Sequence, residues 1–392
     1  MGKQRFIAWI CALLLLSGCA AAAPQREVND FREDYERLWA ELERSYPYLP
    51  YLTARGIDVP ALRTRYAEAV PDAADEAAFA ALLRRMFSEM DNFAHLDLVT
   101  PELYRTYYAY YMPGGETSDA FREVLTDRRL SARYQPPDSA AAAADAAGRP
   151  EVTALYYPDC KALHLRISSF AQELVDRDAG VVTAALDRYP EAEHIVFDIT
   201  GNGGGSDWYW IQDLVAPFGG SYEFACRGFF SGGGLHDRFF PDAPSVPVSE
   251  LTDAPDWAEE LGLDRCVITR MTLPFDGVGE PTAEGNRARR WLLVDGRVYS
   301  AADKFACFCR STGWATLVGT PTAGDGLGVA PVLLLLPDSG LLVRFSSEAG
   351  ENPDGTMNAA RGTAPDVACI RSRLPLSQCL ELIRRGGAAP AE

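Results

Sequence analysis

Twice in its second half the chain runs an apolar strand into small residues and then into a helix-forming stretch. The first instance is Ile195-Val196-Phe197-Asp198-Ile199, then Thr200-Gly201-Asn202-Gly203-Gly204-Gly205 and a helical run through Trp208 and Leu214. The second is Trp291-Leu292-Leu293-Val294, then Arg297-Val298-Tyr299-Ser300-Ala301-Ala302-Asp303-Lys304-Phe305, with Phe305, Ala306 and Cys309 on one helix side. This order restricts the fold to an α/β sheet with strand-to-helix corners at its carboxyl edge. At such corners backbone N–H groups face outward and suit an anion or a developing oxyanion. A serine at the second corner, Ser300, is placed to act as a nucleophile. The same position is the usual place of a helix N-cap, so both readings stand at this level. The glycines of the first corner lack a following Lys-Ser/Thr and the dinucleotide spacing, which excludes a P-loop and a nucleotide fingerprint.

The rest of the second half fits the same scheme. Val152 to Tyr157 and Ala162 to Ile167 predict a hairpin, and Leu174 to Leu186 a helix. Residues 219–290, rich in Gly, Pro and acidic residues, read as an insertion or lid over the sheet edge. Thr316 to Gly319 is a further strand, Gly324-Asp325-Gly326 a turn, and Pro337-Asp338-Ser339-Gly340 a hairpin tip between Val332–Leu336 and Leu341–Phe345.

Upstream, Val28, Phe31, Tyr35, Leu38, Trp39, Leu42 and Tyr46 recur three or four residues apart, which predicts a helix capped by Asn29 or Asp30. Pro47 and Pro50 end it. Pro60 opens a second helix and Glu76 a third, with Phe79, Leu82, Leu83, Met86 and Phe87 on one face. Residues 101–136 show no clear period, and the Ala-rich stretch Pro137 to Pro150 marks the best domain boundary.

At the N-terminus Lys3 and Arg5 precede the short apolar stretch Phe6 to Leu16 and then Leu16-Ser17-Gly18-Cys19. This pattern predicts an export signal, and its ending resembles a bacterial lipobox, with Cys19 lipidated. The alternative is ordinary cleavage near Ala22 or Ala23. Lipidation places the chain in the cell envelope, held to the membrane and facing outside the cytoplasm. Of 9 cysteines, Cys11 and Cys19 fall in this region, leaving 9 − 2 = 7, an odd number. Cys226–Cys266 and Cys369–Cys379 are conceivable pairs. Cys307-Phe308-Cys309 lacks a second Cys/His pair, so no metal site and no cofactor is expected. Lys and Arg number 37 against 55 Asp and Glu, a net charge of 37 − 55 = −18 without basic clusters, which argues against nucleic acid.

Four histidines occur: His95, His164, His194 and His236. His164 belongs to a strand and His194 stands just before one, and both read as structural. His95 stands in Asp91-Asn92-Phe93-Ala94-His95-Leu96-Asp97, where a helix gives way to a chain reversal.

Taken in order, these segments resemble the S41 serine peptidase family, which includes tail-specific proteases and the tricorn core protease. The resemblance rests on the His95 segment, on Phe197 to Gly205, on Tyr299-Ser300-Ala301-Ala302-Asp303, on the turns through Gly326 and Pro337 to Gly340, and on Gly362-Thr363-Ala364-Pro365-Asp366. It implies a small helical bundle followed by a crotonase/ClpP-like β-α core with a mixed sheet. The division is a signal at 1–19, a helical unit at 20–100, a connecting segment at 101–150 and a catalytic domain at 151–392. No PDZ-sized segment fits between His95 and the first sheet strand.

The resemblance further implies that Ser300 is the nucleophile, with Ala301 and Gly204 supplying oxyanion-hole N–H groups. The tail-specific branch has a lysine where this chain has Asp325, and an aspartate cannot replace a lysine base. The tricorn-like branch uses a histidine, which assigns the base to His95. That branch expects a glutamate shortly before Gly-x-x-Pro-Asp. Here Asn358-Ala359-Ala360-Arg361 precedes it, so Glu348 and Glu351, upstream, are the candidates for the third member. Lys304, four residues after Ser300, reads as a solvated helix-surface lysine. The expectation is a serine endopeptidase acting on peptides or unfolded proteins. The alternative is a catalytically impaired peptide- or glycan-binding surface lipoprotein on the same scaffold.

Overall fold

The computed structural model describes residues 30–112, 119–134, 152–175, 177–279, 281–283, 285–370 and 373–386. Cys19, the signal and the Ala-rich linker lie outside the described residues.

Thirteen strands are described: β1 (Asp97–Leu98), β2 (Val152–Tyr157), β3 (Ala162–Ile167), β4 (His194–Asp198), β5 (Tyr222–Phe230), β6 (Ser245–Pro247), β7 (Arg265–Leu273), β8 (Arg289–Val294), β9 (Thr316–Gly319), β10 (Val332–Leu336), β11 (Leu341–Phe345), β12 (Ala349–Glu351) and β13 (Val367–Ala368). They form an α/β molecule around a six-stranded mixed sheet of order β13-β9-β8-β4-β3-β2. Its neighbours from β3 to β13 are parallel, and β2 closes one edge as the antiparallel partner of β3, as the hairpin signal predicts.

The inner strands read as continuous apolar runs because both sheet faces are covered. Along β8 the faces alternate. Trp291 and Leu293 pack with Val196, Val318 and the C-terminal helix Pro375–Arg384. Leu292 and Val294 pack on the other side with Phe305, Ala306 and Phe308 of the helix Ala301–Thr312. The register aligns Asp198 of β4 with Leu293 of β8, and Leu293 with Val318 of β9. The two strand-to-helix corners therefore emerge side by side at one sheet edge. Tyr299 N–H donates to Asn202 O at 3.1 Å, and Gly201 N–H to Asp295 Oδ1 at 2.9 Å.

The N-terminal helices form as the apolar spacing predicts, with boundaries set by local chemistry. The first runs Arg32–Ser45, starting later than expected and without a side-chain cap. Asp58 caps Val59–Ala69 and Asp75 caps Glu76–Glu89, each such cap contributing about 1 kcal/mol. Pro50, read as a helix end, instead sits in the first turn of a short helix, Leu49–Ala54, where its missing N–H costs nothing. The stretch without clear period holds three helices, Pro101–Tyr111, Asp119–Leu125 and Arg128–Tyr134. The helix expected over Leu174 to Leu186 is a 3-10 turn, Gln172–Leu174, followed by Ala179–Arg188.

Residues 219–290 hold β5, β6 and β7, which with β12 make a four-stranded antiparallel sheet. The lid expectation does not describe them. Phe229, Leu235, Phe239 and Cys266 are buried in one core with Trp39, Leu83 and Phe87 of the N-terminal helices and Leu334, Leu342 and Phe345 of the β10–β11 hairpin. The helical unit is stitched to this hairpin by polar contacts too. Buried Asp34 accepts from Asp338 N–H at 3.0 Å and Ser339 N–H at 2.7 Å at the hairpin tip.

Candidate active site

Ser300 stands at the second corner with φ 55° and ψ −128°, immediately before the helix Ala301–Thr312, and makes no side-chain cap bond. The N-cap reading therefore fails on geometry. The backbone holds the residue in a left-handed region that side chains resist, and such strain persists only where surrounding contacts fix it. The fixing contacts are Ser300 N–H to Gly324 O at 3.0 Å, Lys304 N–H to Ser300 O at 3.0 Å, and a parallel bridge between Tyr299 and Gly324. Ser300 is partly exposed, and among the described residues its Oγ has no protein hydrogen-bond partner.

Gly204 packs against this corner. A Cβ on it would lie 2.6 Å from Tyr299 O, 2.9 Å from Ser300 Cβ and 3.0 Å from Ala301 N, and its φ is 94°. Glycine is required here for close approach and for the backbone angle. Its own N–H donates to Asn202 Oδ1 at 2.9 Å, so the donor expected from Gly204 is already engaged. Ala301 N–H, at the first helical position, has no intrahelical acceptor, as the helix start dictates.

His95 reaches the same place from the other core. Residues 91–98 leave the helix Glu76–Glu89, pass through positive φ at Asp91, Asn92, Ala94 and His95, and join β11 as β1. Ser346 N–H donates to Ala94 O at 2.9 Å, and Tyr46 OH to Phe93 O at 2.7 Å. His95 is thus fixed by the β10–β11 hairpin rather than carried on a free helical unit. Its ring is buried, 7% exposed, and meets Asp325 Oδ2 through Nδ1 at 2.6 Å. Tyr299 OH and Ser346 Oγ lie 3.2 and 3.1 Å from the same nitrogen. Tyr299 OH also donates to Asp325 Oδ2 at 2.8 Å and accepts from His95 N–H at 3.0 Å. Burial, then the Asp325 carboxylate, push the Tyr299 phenol far above its ordinary range, so it remains a donor. No hydrogen bond joins Ser300 to His95. What they share is the Gly324–Asp325 turn, held by Ser300 through backbone and by His95 through its ring.

The remaining candidates lie elsewhere. Glu348 is buried against His236, Oε2 to Nε2 3.1 Å, and its carboxyl fills the space above Gly228. Glu351 is paired with Arg227. Neither meets His95, which corrects the expected third member: the carboxylate on His95 is Asp325. In the sequence Asp325 reads only as an aspartate standing where the tail-specific branch has its lysine. Its side chain is 4% exposed, and it meets the histidine rather than the serine. Its position in the Gly-x-Gly turn, combined with a histidine-using branch, was the available signal. Lys304 is not solvated either. Its Nζ donates to Asp207 Oδ2 at 2.8 Å, and although burial alone would lower its pKa, the Asp207 carboxylate outweighs burial and raises it. A lysine held charged is no general base. His164 binds Asp198, Nε2 to Oδ2 3.0 Å, and His194 accepts from Trp291 Nε1 at 3.2 Å, both structural as expected. Among the described residues the seven cysteines are free and no group of three or more His, Cys, Asp or Glu is placed to hold a metal.

A strained serine at a strand-to-helix corner of a mixed α/β sheet defines a class of hydrolase-like scaffolds, and comparison with known proteins narrows it. The family model described as peptidase family S41 matches residues 270–369, and that of the tricorn protease C1 domain matches residues 27–88. Both matches show similarity to S41 peptidases, and that similarity together with the fold supports a serine protease function. A crystal structure of a candidate peptidase from Parabacteroides merdae is similar in fold, with 16% identity, TM-score 0.55, and coverage of 90% of this chain and 96% of that one. Mature CPAF is similar at 12% identity and TM-score 0.52, covering 92% of this chain and 95% of its own, and its complex with lactacystin at TM-score 0.53.

Proposed function

We propose that this chain is a lipid-anchored serine endopeptidase of the cell envelope, facing outside the cytoplasm, that cleaves peptides or unfolded proteins through an acyl-enzyme on Ser300. The observation that carries the reading is the strained, uncapped Ser300 sharing one turn with a buried histidine. His95 Nε2 removes the Ser300 Oγ proton as Oγ attacks the peptide carbonyl carbon. The oxyanion forms beside Ala301 N–H, and the proton passes from Nε2 to the leaving amine. Water, deprotonated by the same nitrogen, then releases the acid product. The membrane partner in this reading is the bilayer that receives a lipid on Cys19.

A fluorophosphonate probe on the purified protein, with hydrolysis of casein in parallel, tests the chemistry. Labelling at Ser300 that vanishes in Ser300→Ala is the expected result. No labelling and no cleavage across several substrates and pH values would overturn it in favour of a binding protein. Metabolic labelling with a fatty-acid analogue tests the anchor: incorporation is expected in the wild type and not in Cys19→Ala, and its absence from both would exclude lipidation.

A further inference from the structure

We propose that Asp325 is the positioning carboxylate of the Ser300–His95 pair, with Tyr299 and Ser346 as the hydroxyls that lock it. This rests on the reading of Ser300 and His95 as nucleophile and base. The turn that carries a lysine in the tail-specific branch here carries the acid of a Ser–His–Asp arrangement.

The hydrogen bonds fix the direction of every proton. An ionised carboxylate oxygen only accepts. Three groups converge on Asp325 Oδ2: His95 Nδ1 at 2.6 Å, Tyr299 OH at 2.8 Å and Ser346 Oγ at 3.0 Å. Each must donate, so Nδ1 carries the imidazole hydrogen and the lone pair is left on Nε2. The tautomer that can take the Ser300 proton is thereby selected before substrate arrives. When Nε2 receives that proton, the imidazolium lies against a buried carboxylate. Asp325 stabilises the cation and is not itself protonated.

The network is closed and braced. His95 N–H donates to Tyr299 Oη, whose own hydrogen goes to Asp325, which also receives His95 Nδ1–H. Ring centroids of His95 and Tyr299 lie 4.7 Å apart. Asp325 has φ 58°, and the flanking glycines leave no room for side chains: a Cβ on Gly326 would strike Ser300 O, and one on Gly324 would strike Asn358 O. Gly326 N–H donates to Asn358 Oδ1 at 3.0 Å, while Asn358 Nδ2 donates to buried Asp303 at 2.9 Å. The segment where the resemblance expects a glutamate thus supports the turn that presents Asp325. Tyr46, Tyr48 and Arg344 are the other ionisable groups facing the network.

The test is Asp325→Asn, which keeps shape but can donate to Nδ1 and so favours hydrogen on Nε2. Expected are a fall in kcat for peptide cleavage of about 10² to 10⁴ with KM little changed, and a pH–rate profile that no longer follows the wild type. Nitrogen NMR of histidine-labelled protein, with the His95 signal assigned by its loss in His95→Ala, should show Nδ1–H in the wild type and Nε2–H in Asp325→Asn. Asp325→Glu should recover more activity than Asp325→Asn. Tyr299→Phe and Ser346→Ala, which keep the carboxylate, should lose roughly tenfold to a hundredfold, in line with one hydrogen bond each to a charged group; they carry the test if Asp325→Asn does not fold. Unchanged kcat and unchanged tautomer in Asp325→Asn, or no loss in either hydroxyl variant, would overturn the proposal. Failure of the functional reading looks different: wild-type Ser300 is then not labelled at all, while the tautomer measurement still reports whether Asp325 sets Nδ1–H.

Discussion

Among the described residues there are three buried histidine–carboxylate pairs, and only one of them stands at the serine. His95–Asp325 links a strained turn to the Ser300 corner, and its Nε2 has no protein partner among the described residues. His236–Glu348 has the same chemistry, yet His236 is 1% exposed, stacked on Phe230 at 3.5 Å, and its Nε2 is spent on the carboxylate. His164–Asp198 lies on adjacent strands of the sheet. Burial and a carboxylate therefore do not by themselves make a base. What matters is which nitrogen the carboxylate takes and whether the other faces a nucleophile.

Breaking the first pair has the largest expected effect. His95→Ala should remove nearly all turnover, and the double variant with Ser300→Ala should be no worse than either alone, because the residues act as a unit. Rates of casein hydrolysis for the two single variants and the double variant check this, and additive losses would assign them separate roles.

Breaking the second pair should affect stability instead. Glu348→Ala leaves His236 Nε2 buried without an acceptor, a cost of about 1–3 kcal/mol, read as a lower urea midpoint at unchanged slope. Ser300 labelling at permissive temperature should stay near wild type. A loss of labelling comparable to that of His95→Ala would return Glu348 to the catalytic machinery. Lys304→Met belongs to the same class: its ammonium is paired with Asp207, so labelling should fall less than tenfold.

Much of the arrangement was legible in the sequence because it follows from short-range rules. The run Trp291 to Val294 ending in small residues gave the corner at Ser300, and the spacing of Phe79 to Phe87 gave the helix before His95. The segment 219–290 was not legible, because its strands β5 and β7 are set among Gly-, Pro- and acid-rich loops, and their cover comes from helices far away in the chain. Asp325 was missed for a related reason. Its role is set by a hairpin residue, Ser346, and by His95, 230 positions upstream. Glu348 and Glu351 had suitable side chains and sequence position, but His236 and Arg227 claim them.

The third pair gives the smallest effect. Burial would raise the Asp198 carboxyl, but His164, Thr200 and Arg166 outweigh it and hold it below its ordinary value. A depressed carboxylate contributes stability that is fully present above the unfolded value of about 3.9 and is lost as pH falls through the lower folded value. Acid titration of unfolding should therefore show a loss of stability below that value that is smaller in Asp198→Asn. Equal acid sensitivity in both proteins would remove Asp198 as a contributor.

The most direct measurement of the central claim is the rate of fluorophosphonate attachment to Ser300, located by peptide mass, in wild type, His95→Ala and Lys304→Met, with thermal melting to show that each is folded. Fast attachment at Ser300 is expected in the wild type, with near-complete loss in His95→Ala and little change in Lys304→Met. Attachment that survives in folded His95→Ala and disappears in folded Lys304→Met would contradict it.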